Sequence, residues 1–249
     1  IIFNKFSKKI TKESLIFGYS KFSNQKNDNE IFDFNFNFNY QKKIFKNLIK
    51  KKKIENKRDI FNIWFSSYFN SFQGINLKKK KYILGFTPRF NLFESNLINF
   101  FKEYPDGKII HIIRNPINWY SSSKLHNRKY RNLKRSVNLW NKSSSKAIVL
   151  SKKYKNFKVI LFEDLVMKTE KTTKFLCNWL KIKWKRNLLI PTYNGNKIKA
   201  DTSFKVKKSG KILKETLNRS EYLTKKEIEY INKKTQKIYL KANKKFKIK

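Results

Sequence analysis

The chain has 249 residues, of which 39% are apolar, and this suits one α/β domain with a buried core. No run of about 18 apolar residues occurs, so no transmembrane helix is predicted. The single cysteine, Cys177, excludes an internal disulfide and is expected to be a buried thiol, because it lies in an apolar helical pattern.

The formal net charge of +43 has two explanations. On its own it indicates a nucleic acid or an anionic membrane as a partner. However, alanine occurs only at positions 147, 200 and 242 and glycine only six times, while Lys, Asn, Ile and Phe abound, as in an AT-rich coding sequence. The lysines also spread along the whole chain. We therefore expect no specific nucleic-acid partner.

The first 73 residues carry two patterns. Residues 31–39 alternate apolar side chains with Asp or Asn, which predicts either a half-buried strand or a loop that lines a pocket. Residues 40–73 read as helices with an aromatic stripe that is expected to be core. The stripe consists of Phe61, Trp64, Phe65, Tyr68 and Phe69.

Strands and helices alternate in the middle of the chain. The apolar runs at residues 82–86, 108–113 and 157–162 predict strands, and helical patterns cover residues 91–103, 116–154 with a break near 129, and 164–182. This order predicts a parallel sheet flanked by helices, whose strands end at one ligand-binding edge. Thr224 and Glu227 then form a capping box that begins the last helix.

The segment from Ile112 to Ser123 carries the clearest chemistry. A strand runs directly into Arg114, Asn115 can cap the next helix, and Pro116 suits its first turn. The helix start offers unpaired N–H groups, and Arg114 adds a planar guanidinium whose N–H donors match the geometry of a phosphate. Ser122 lies two turns into the helix. The pattern predicts a monophosphate site. The alternative is that Arg114 pairs with a carboxylate and the serines lie on the helix surface.

This segment resembles the 3′-phosphate-binding motif of sulfotransferases that use 3′-phosphoadenosine 5′-phosphosulfate (PAPS). The resemblance rests on Arg114, Pro116 and Ser122 after an apolar strand. Other segments of the chain, before and after it, also resemble the family and extend the resemblance over about residues 80–240. They are Thr87-Pro88, Trp140, Phe162-Glu163-Asp164-Leu165, Phe175-Leu176, Asn194-Gly195, Thr202-Ser203-Phe204 and Ser209-Gly210-Lys211-Ile212.

The sequence also departs from the family. No glycine lies in a loop that could cradle the 5′-phosphosulfate, and the chain begins at Ile1 without a methionine. We therefore expect an N-terminally truncated piece, inactive alone, that lacks the first strand and phosphate loop. At the position where the family has a tyrosine that contacts adenine, this chain has Phe162, whose ring can still stack on the base but which lacks the hydroxyl. A lysine that several members carry before Thr-Pro is Phe86, which leaves Arg89 as the nearest cation.

The resemblance implies a three-layer fold like that of P-loop NTPases over residues 1–249 as one domain. It implies PAPS as the co-substrate, no metal, and sulfuryl transfer to a hydroxyl or amine of a carbohydrate or small molecule. Arg114 and Ser122 would hold the 3′-phosphate, Phe162 would stack on adenine, and a basic loop would close over the phosphate. That loop consists of Lys207, Lys208 and Gly210.

Catalytic residues are harder to assign. Arg89 and Glu30 are candidates, and no spacing supports Glu30 as a base. Glu163 and Asp164 are expected to cap the helix that they precede. Two other function classes stay open, namely a P-loop kinase or related transferase and a basic nucleic-acid-binding protein. The expected location is a bacterial cytosol, or the Golgi lumen for a eukaryotic protein, and the oligomeric state is not readable.

Overall fold

A computed structural model describes residues 38–71, 81–87, 89–193, 196–197 and 209–249. The chain divides into two compact units. The first comprises Ile1–Pro88 and Asn99–Pro105, and the second comprises Arg89–Ile98 and Asp106–Lys249. The expectation of a single domain over the whole chain stays a prediction.

The first unit contains two packed helices, α1 (Phe38–Lys51) and α2 (Lys57–Asn70). They bury Phe45, Ile63 and Trp64 against each other, and Phe65 and Tyr68 pack on this cluster, which confirms the core role of three of the five stripe residues. Asn56 and Asp59 close a capping box at the start of α2, which fixes where that helix begins. Residues 31–37 of the alternating segment lie outside the described residues, while residues 38 and 39 already belong to α1.

The predicted strand at residues 82–86 is wrong. Residues 81–87 have no regular secondary structure, and the side chains of Leu84 and Phe86 are 87% and 93% exposed. An apolar run becomes a strand only where a neighbouring strand satisfies its N–H and C=O groups. No strand among the described residues pairs with this segment, so its apolar composition alone does not make it one.

The second unit contains a parallel two-stranded sheet. Strand β1 (Ile109–Ile113) pairs with β2 (Phe157–Leu161) in a register that places His111 opposite Val159 and Ile113 opposite Leu161. This confirms the α/β class, both strands and their parallel direction. Burial of His111, which stacks on Phe157, lowers the pKa of its imidazole to about 4, so the strand carries no charge there at pH 7.

The helices of this unit agree with the predicted ones within a few residues, except that the predicted helix at residues 164–182 is divided into two at Lys168. Helix α3 (Glu94–Glu103) begins in this unit, and the break near residue 129 is a 3₁₀ turn at Arg128–Tyr130. The remaining helices are α4 (Pro116–His126), α5 (Leu133–Lys153), α6 (Phe162–Met167), α7 (Thr169–Leu180) and α8 (Lys225–Phe246). A short hairpin joins β3 (Thr192–Tyr193) to β4 (Asn196–Lys197).

The parallel pairing places the carboxyl ends of β1 and β2 at one edge of the sheet. The two residues that follow them, Arg114 and Phe162, therefore lie side by side. Strand β2 is the more buried of the two, since Ile160 is 1% exposed while its partner Ile112 is 47% exposed. No helix within the described ranges is long and apolar enough to cross a membrane.

Helix α8 packs against α4 and α5. Tyr120, Val137 and Ile231, one from each helix, are almost fully buried together. The capping box of Thr224 and Glu227 begins α8, as predicted. Glu227 also accepts a hydrogen bond from Lys124 of α4, with 2.7 Å between Nζ and Oε1. One carboxylate thus caps α8 and ties it to the helix that follows Arg114.

The charge of Glu227 is expected to stabilise the fold only above about pH 4. Burial raises the pKa of Glu227, but the hydrogen bonds from Lys124 and Thr224 outweigh burial and leave this pKa below its ordinary value. A carboxyl with a lowered folded pKa stabilises the fold above its unfolded pKa of about 4.3 and loses that contribution as the pH falls through the folded pKa. Glu227→Gln, which keeps the shape and the cap, should lower the free energy of unfolding by about 1 kcal/mol at pH 7.

Urea unfolding at pH 7, 5 and 3.5 measures this contribution. The difference between wild type and Glu227→Gln should shrink towards zero at pH 3.5. An equal difference at all three pH values would show that the ion pair contributes nothing.

Candidate anion-binding site

The site is built on the turn between β1 and α4. β1 ends at Ile113 and α4 begins at Pro116, so Arg114 and Asn115 form the turn itself. The Asn115 side-chain oxygen accepts hydrogen bonds from the amides of Ile117 and Asn118 at 3.0 and 3.2 Å. This confirms the predicted cap, and Pro116 occupies the first helical position, where its missing N–H costs nothing.

The Arg114 side chain is held by three groups. Its Nη1 donates to the Ser122 hydroxyl at 3.1 Å, and its Nη2 donates to the main-chain oxygen of Thr216 at 2.6 Å. The guanidinium carbon lies 4.5 Å from the centre of the Phe162 ring. Its partners are thus a hydroxyl, a carbonyl and an aromatic face rather than the carboxylate of the alternative interpretation. The structure brings Arg114, Ser122 and Phe162 together, as the sequence predicts.

Arg114 also keeps capacity to bind an anion. Its Nε is buried and makes no hydrogen bond to any residue that the structure describes. The pKa of the guanidinium is lowered to about 10, chiefly by burial and then by the positive charge of Arg219, while Glu163 opposes both effects. The group stays cationic at pH 7, and an anion beside it would relieve both the desolvation and the repulsion.

The main chain of the turn is fixed from two sides. The Asn115 amide donates to Oε1 of Glu163 at 2.8 Å, and the Trp140 indole donates to the carbonyl of Arg114 at 3.1 Å. Glu163 therefore does not cap the helix that contains it, contrary to prediction. Asp164 does not cap it either, because its Oδ2 accepts from the amide of Ile248 near the end of the chain. Both carboxylates bond to amides of other segments, which a pattern local to residues 157–167 cannot reveal.

Asn118 and Arg219 belong to the same cluster, and the sequence did not indicate them. Asn118 is 8% exposed, and its amide nitrogen donates to the carbonyl of Leu217 at 2.7 Å. Its side-chain oxygen accepts from the amide of Arg219 at 2.9 Å. These bonds, with the one from Arg114 to Thr216, hold residues 216–219 against the start of α4. About 100 residues separate the partners, so no local pattern signals them.

The other predicted site residues lie elsewhere or outside the description. Arg89 is exposed and donates to the Tyr130 hydroxyl at 2.7 Å, with its guanidinium carbon 5.4 Å from the centre of that ring. The Arg89 side chain therefore contacts the Arg128–Tyr130 turn and not Arg114. Glu30, Lys207 and Lys208 lie outside the described residues.

Gly210 has a conformation that explains why it is a glycine. Its φ is +67°, and a Cβ at this position would lie 3.0 Å from side-chain carbons of Lys197. A residue with a side chain is strained at this φ. A contact with a phosphate is still a prediction for this residue.

The geometry defines a class of site. A half-buried arginine, a hydroxyl and the start of an 11-residue helix meet at the carboxyl edge of a parallel sheet. The arginine and the hydroxyl can donate hydrogen bonds, and the arginine and the helix dipole add positive charge, so the site suits a phosphate or sulfate ester. No group of three or more His, Cys, Asp or Glu side chains within the described segments could hold a metal ion.

A comparison with family models assigns the chain to a known family. The model described as "Sulfotransferase family" matches residues 24–186, which is more than half of the chain. The protein therefore belongs to the sulfotransferase family. Neither a curated protein nor a solved structure matches the chain. The matched region contains Arg114, Ser122, Trp140 and Phe162, while residues 209–219 lie beyond it.

Proposed function

We propose that this protein transfers a sulfuryl group from PAPS to a hydroxyl or amine of a carbohydrate or small molecule, with the 3′-phosphate of the nucleotide bound by Arg114 and Ser122. Membership of the family supports sulfuryl transfer in general. The finer proposal rests on the Arg114 guanidinium, which follows the end of β1 and donates a hydrogen bond to Ser122. Its buried Nε has no hydrogen-bond partner in the described part of the chain.

A 3′-phosphate fits this cluster chemically. Its oxygens can accept from the Arg114 guanidinium and from the Ser122 hydroxyl. The Phe162 ring lies beside Arg114, where it can contact the attached nucleoside. One face of the ring already carries the guanidinium, so an adenine would stack on the other face or on the ring edge.

In the proposed reaction, Arg114 and Ser122 bind and orient the nucleotide. In the proposed reaction, the bond between sulfur and the phosphate oxygen of PAPS breaks, a bond from the acceptor oxygen or nitrogen to sulfur forms, and 3′,5′-adenosine bisphosphate leaves. The acceptor proton passes to a base. Fixing the 3′-phosphate orients the nucleotide for in-line attack, which is the part of catalysis that depends on alignment.

Nucleotide titration of the full-length protein tests the proposal. Isothermal titration calorimetry should show that 3′,5′-adenosine bisphosphate binds at least about tenfold more tightly than 5′-AMP, because only the first ligand carries the 3′-phosphate. Tighter binding of ATP would favour the P-loop kinase alternative. Selective retention of one nucleic acid over heparin would favour the nucleic-acid-binding alternative, because any chain this basic adsorbs polyanions.

A further inference from the structure

The main chain of Ile248 is held at two points by side chains at helix α6. Ile248 lies two residues after the end of α8. Its amide donates to Oδ2 of Asp164 at 2.8 Å, and its carbonyl accepts from the Lys168 ammonium. The same ammonium lies 3.9 Å from Oδ1 of Asp164, one helical turn away. We call this arrangement of Asp164, Lys168 and Ile248 the clasp.

The Asp164 carboxylate depends on the clasp. Asp164 is 5% exposed, and a buried carboxylate is unfavourable unless hydrogen bonds and an opposite charge compensate it. The amide of Ile248 supplies the hydrogen bond and Lys168 supplies the charge. The folded protein therefore favours the closed clasp. The main-chain carbonyl of Asp164 is held separately by the Thr172 hydroxyl at 3.0 Å, so opening the clasp loosens α6 without releasing it.

Helix α6 carries residues of the candidate site as well as the clasp. It has only six residues, a length that is unstable as an isolated helix, and no side chain caps its start. Its first residue, Phe162, contacts the Arg114 guanidinium, and its second residue, Glu163, accepts from the amide of Asn115. Asp164 is the third residue, so the clasp holds α6 within one turn of both groups.

We infer that the clasp sets the position of the Phe162 ring for nucleotide binding, and that Asp164 and Lys168 are positioning residues that act through α6. This inference rests on the proposed function. Two positions of one helical turn separate Asp164 from Phe162, so a displacement of the first moves the second. A closed clasp holds the ring in place before the nucleotide arrives, which reduces the cost of ordering it on binding.

The experiment compares Ile248→Pro with Ile248→Ala in the full-length protein. Both variants lose the isoleucine side chain, but only proline removes the N–H that Asp164 accepts. Lys247 has φ −58° and ψ 126°, an extended conformation that suits a residue before proline. Ile248→Pro should weaken binding of 3′,5′-adenosine bisphosphate by roughly 3- to 10-fold, since one hydrogen bond of the clasp is lost. Ile248→Ala should stay within about twofold of wild type.

Two further measurements examine the clasp itself. Asp164→Ala should weaken nucleotide binding as much as Ile248→Pro does, whereas Asp164→Asn, whose oxygen can still accept from the Ile248 amide, should stay within about threefold of wild type. Without nucleotide, hydrogen–deuterium exchange of residues 162–168 should be faster in Ile248→Pro than in Ile248→Ala, because exchange reports local opening.

A double-mutant cycle separates positioning from a general loss of stability. If the clasp acts through the ring, Ile248→Pro should have little further effect on affinity once Phe162→Leu has removed the ring. All titrations are made at a temperature where circular dichroism shows each variant to be folded. Additive losses in the Phe162→Leu background, or equal affinities of Ile248→Pro and Ile248→Ala, would overturn the inference. If Asp164→Ala does not fold, the Ile248 pair decides by the same criterion.

The outcomes also separate this inference from the proposed function. If wild type does not prefer 3′,5′-adenosine bisphosphate over 5′-AMP, the proposed function fails and the role of the clasp fails with it. If wild type has the preference, Arg114→Ala abolishes it and Ile248→Pro binds as tightly as Ile248→Ala, then only the role of the clasp is wrong.

Discussion

Replacing Arg114 by alanine is expected to weaken the binding of 3′,5′-adenosine bisphosphate by roughly 30- to 1000-fold, equivalent to about 2–4 kcal/mol. The substitution removes the guanidinium that links the end of β1 to the Ser122 hydroxyl and the Thr216 carbonyl. It also removes a positive charge from a half-buried position, where the charge acts on a bound anion with less screening by water than at the surface. Calorimetric titration measures the change.

Two further variants make this result specific. Arg135→Ala removes an exposed arginine and should leave the affinity within about twofold of wild type, since exposed charges are screened. Ser122→Ala removes one neutral hydrogen bond and should cost roughly 3- to 10-fold. If Arg114→Ala and Arg135→Ala bind the nucleotide equally well, Arg114 does not hold the 3′-phosphate.

Replacing Trp140 by alanine is expected to lower the free energy of unfolding by about 3–5 kcal/mol, the cost typical of removing a buried aromatic side chain. Trp140 is 5% exposed, and its ring packs against Tyr239 of α8 with 6.3 Å between ring centres. Its indole N–H also supports the carbonyl of Arg114. The substitution should therefore reduce both stability and the order of the anion site. Urea unfolding followed by circular dichroism measures the first effect.

Trp140→Phe separates packing from hydrogen bonding. Phenylalanine keeps most of the apolar volume and loses the N–H, so we expect a loss of about 1–2 kcal/mol, which includes the unsatisfied Arg114 carbonyl. Nucleotide affinity should fall in this variant even at temperatures where it is fully folded. A Trp140→Ala protein with the stability of wild type would show that α5 does not pack on the site as the structure has it.

The sequence predicted the local part of the site because its signals are local. A strand, an arginine, a capping asparagine and a proline at the first helical turn follow one another within residues 109–116, and each has a known structural preference. Helical periodicity then places Ser122 on the side of the helix start. The structure confirms these elements and the hydrogen bond between Arg114 and Ser122.

The sequence could not predict the groups that complete the cluster. Thr216 and Arg219 reach α4 from a segment about 100 residues away, and nothing in residues 213–222 marks an anion site. Glu163 was misread for the same reason, because its amide partner at Asn115 is 48 positions distant along the chain. The strand at residues 82–86 was predicted from composition alone, without a neighbour to pair with it. Long-range pairing decides each of these cases.

The distance along the chain between the two halves of the cluster also affects how the protein acquires its site. Arg114 bonds to a carbonyl 102 residues further along, and Asn118 bonds to an amide 101 residues further along. On the ribosome, where synthesis proceeds from the N-terminus at about 5–20 residues per second, β1 and α4 emerge several seconds before Arg219 does. An anion that binds this cluster can therefore stabilise the nascent chain only after residues 216–219 have emerged and docked on α4, and the earlier folding must proceed without that contribution.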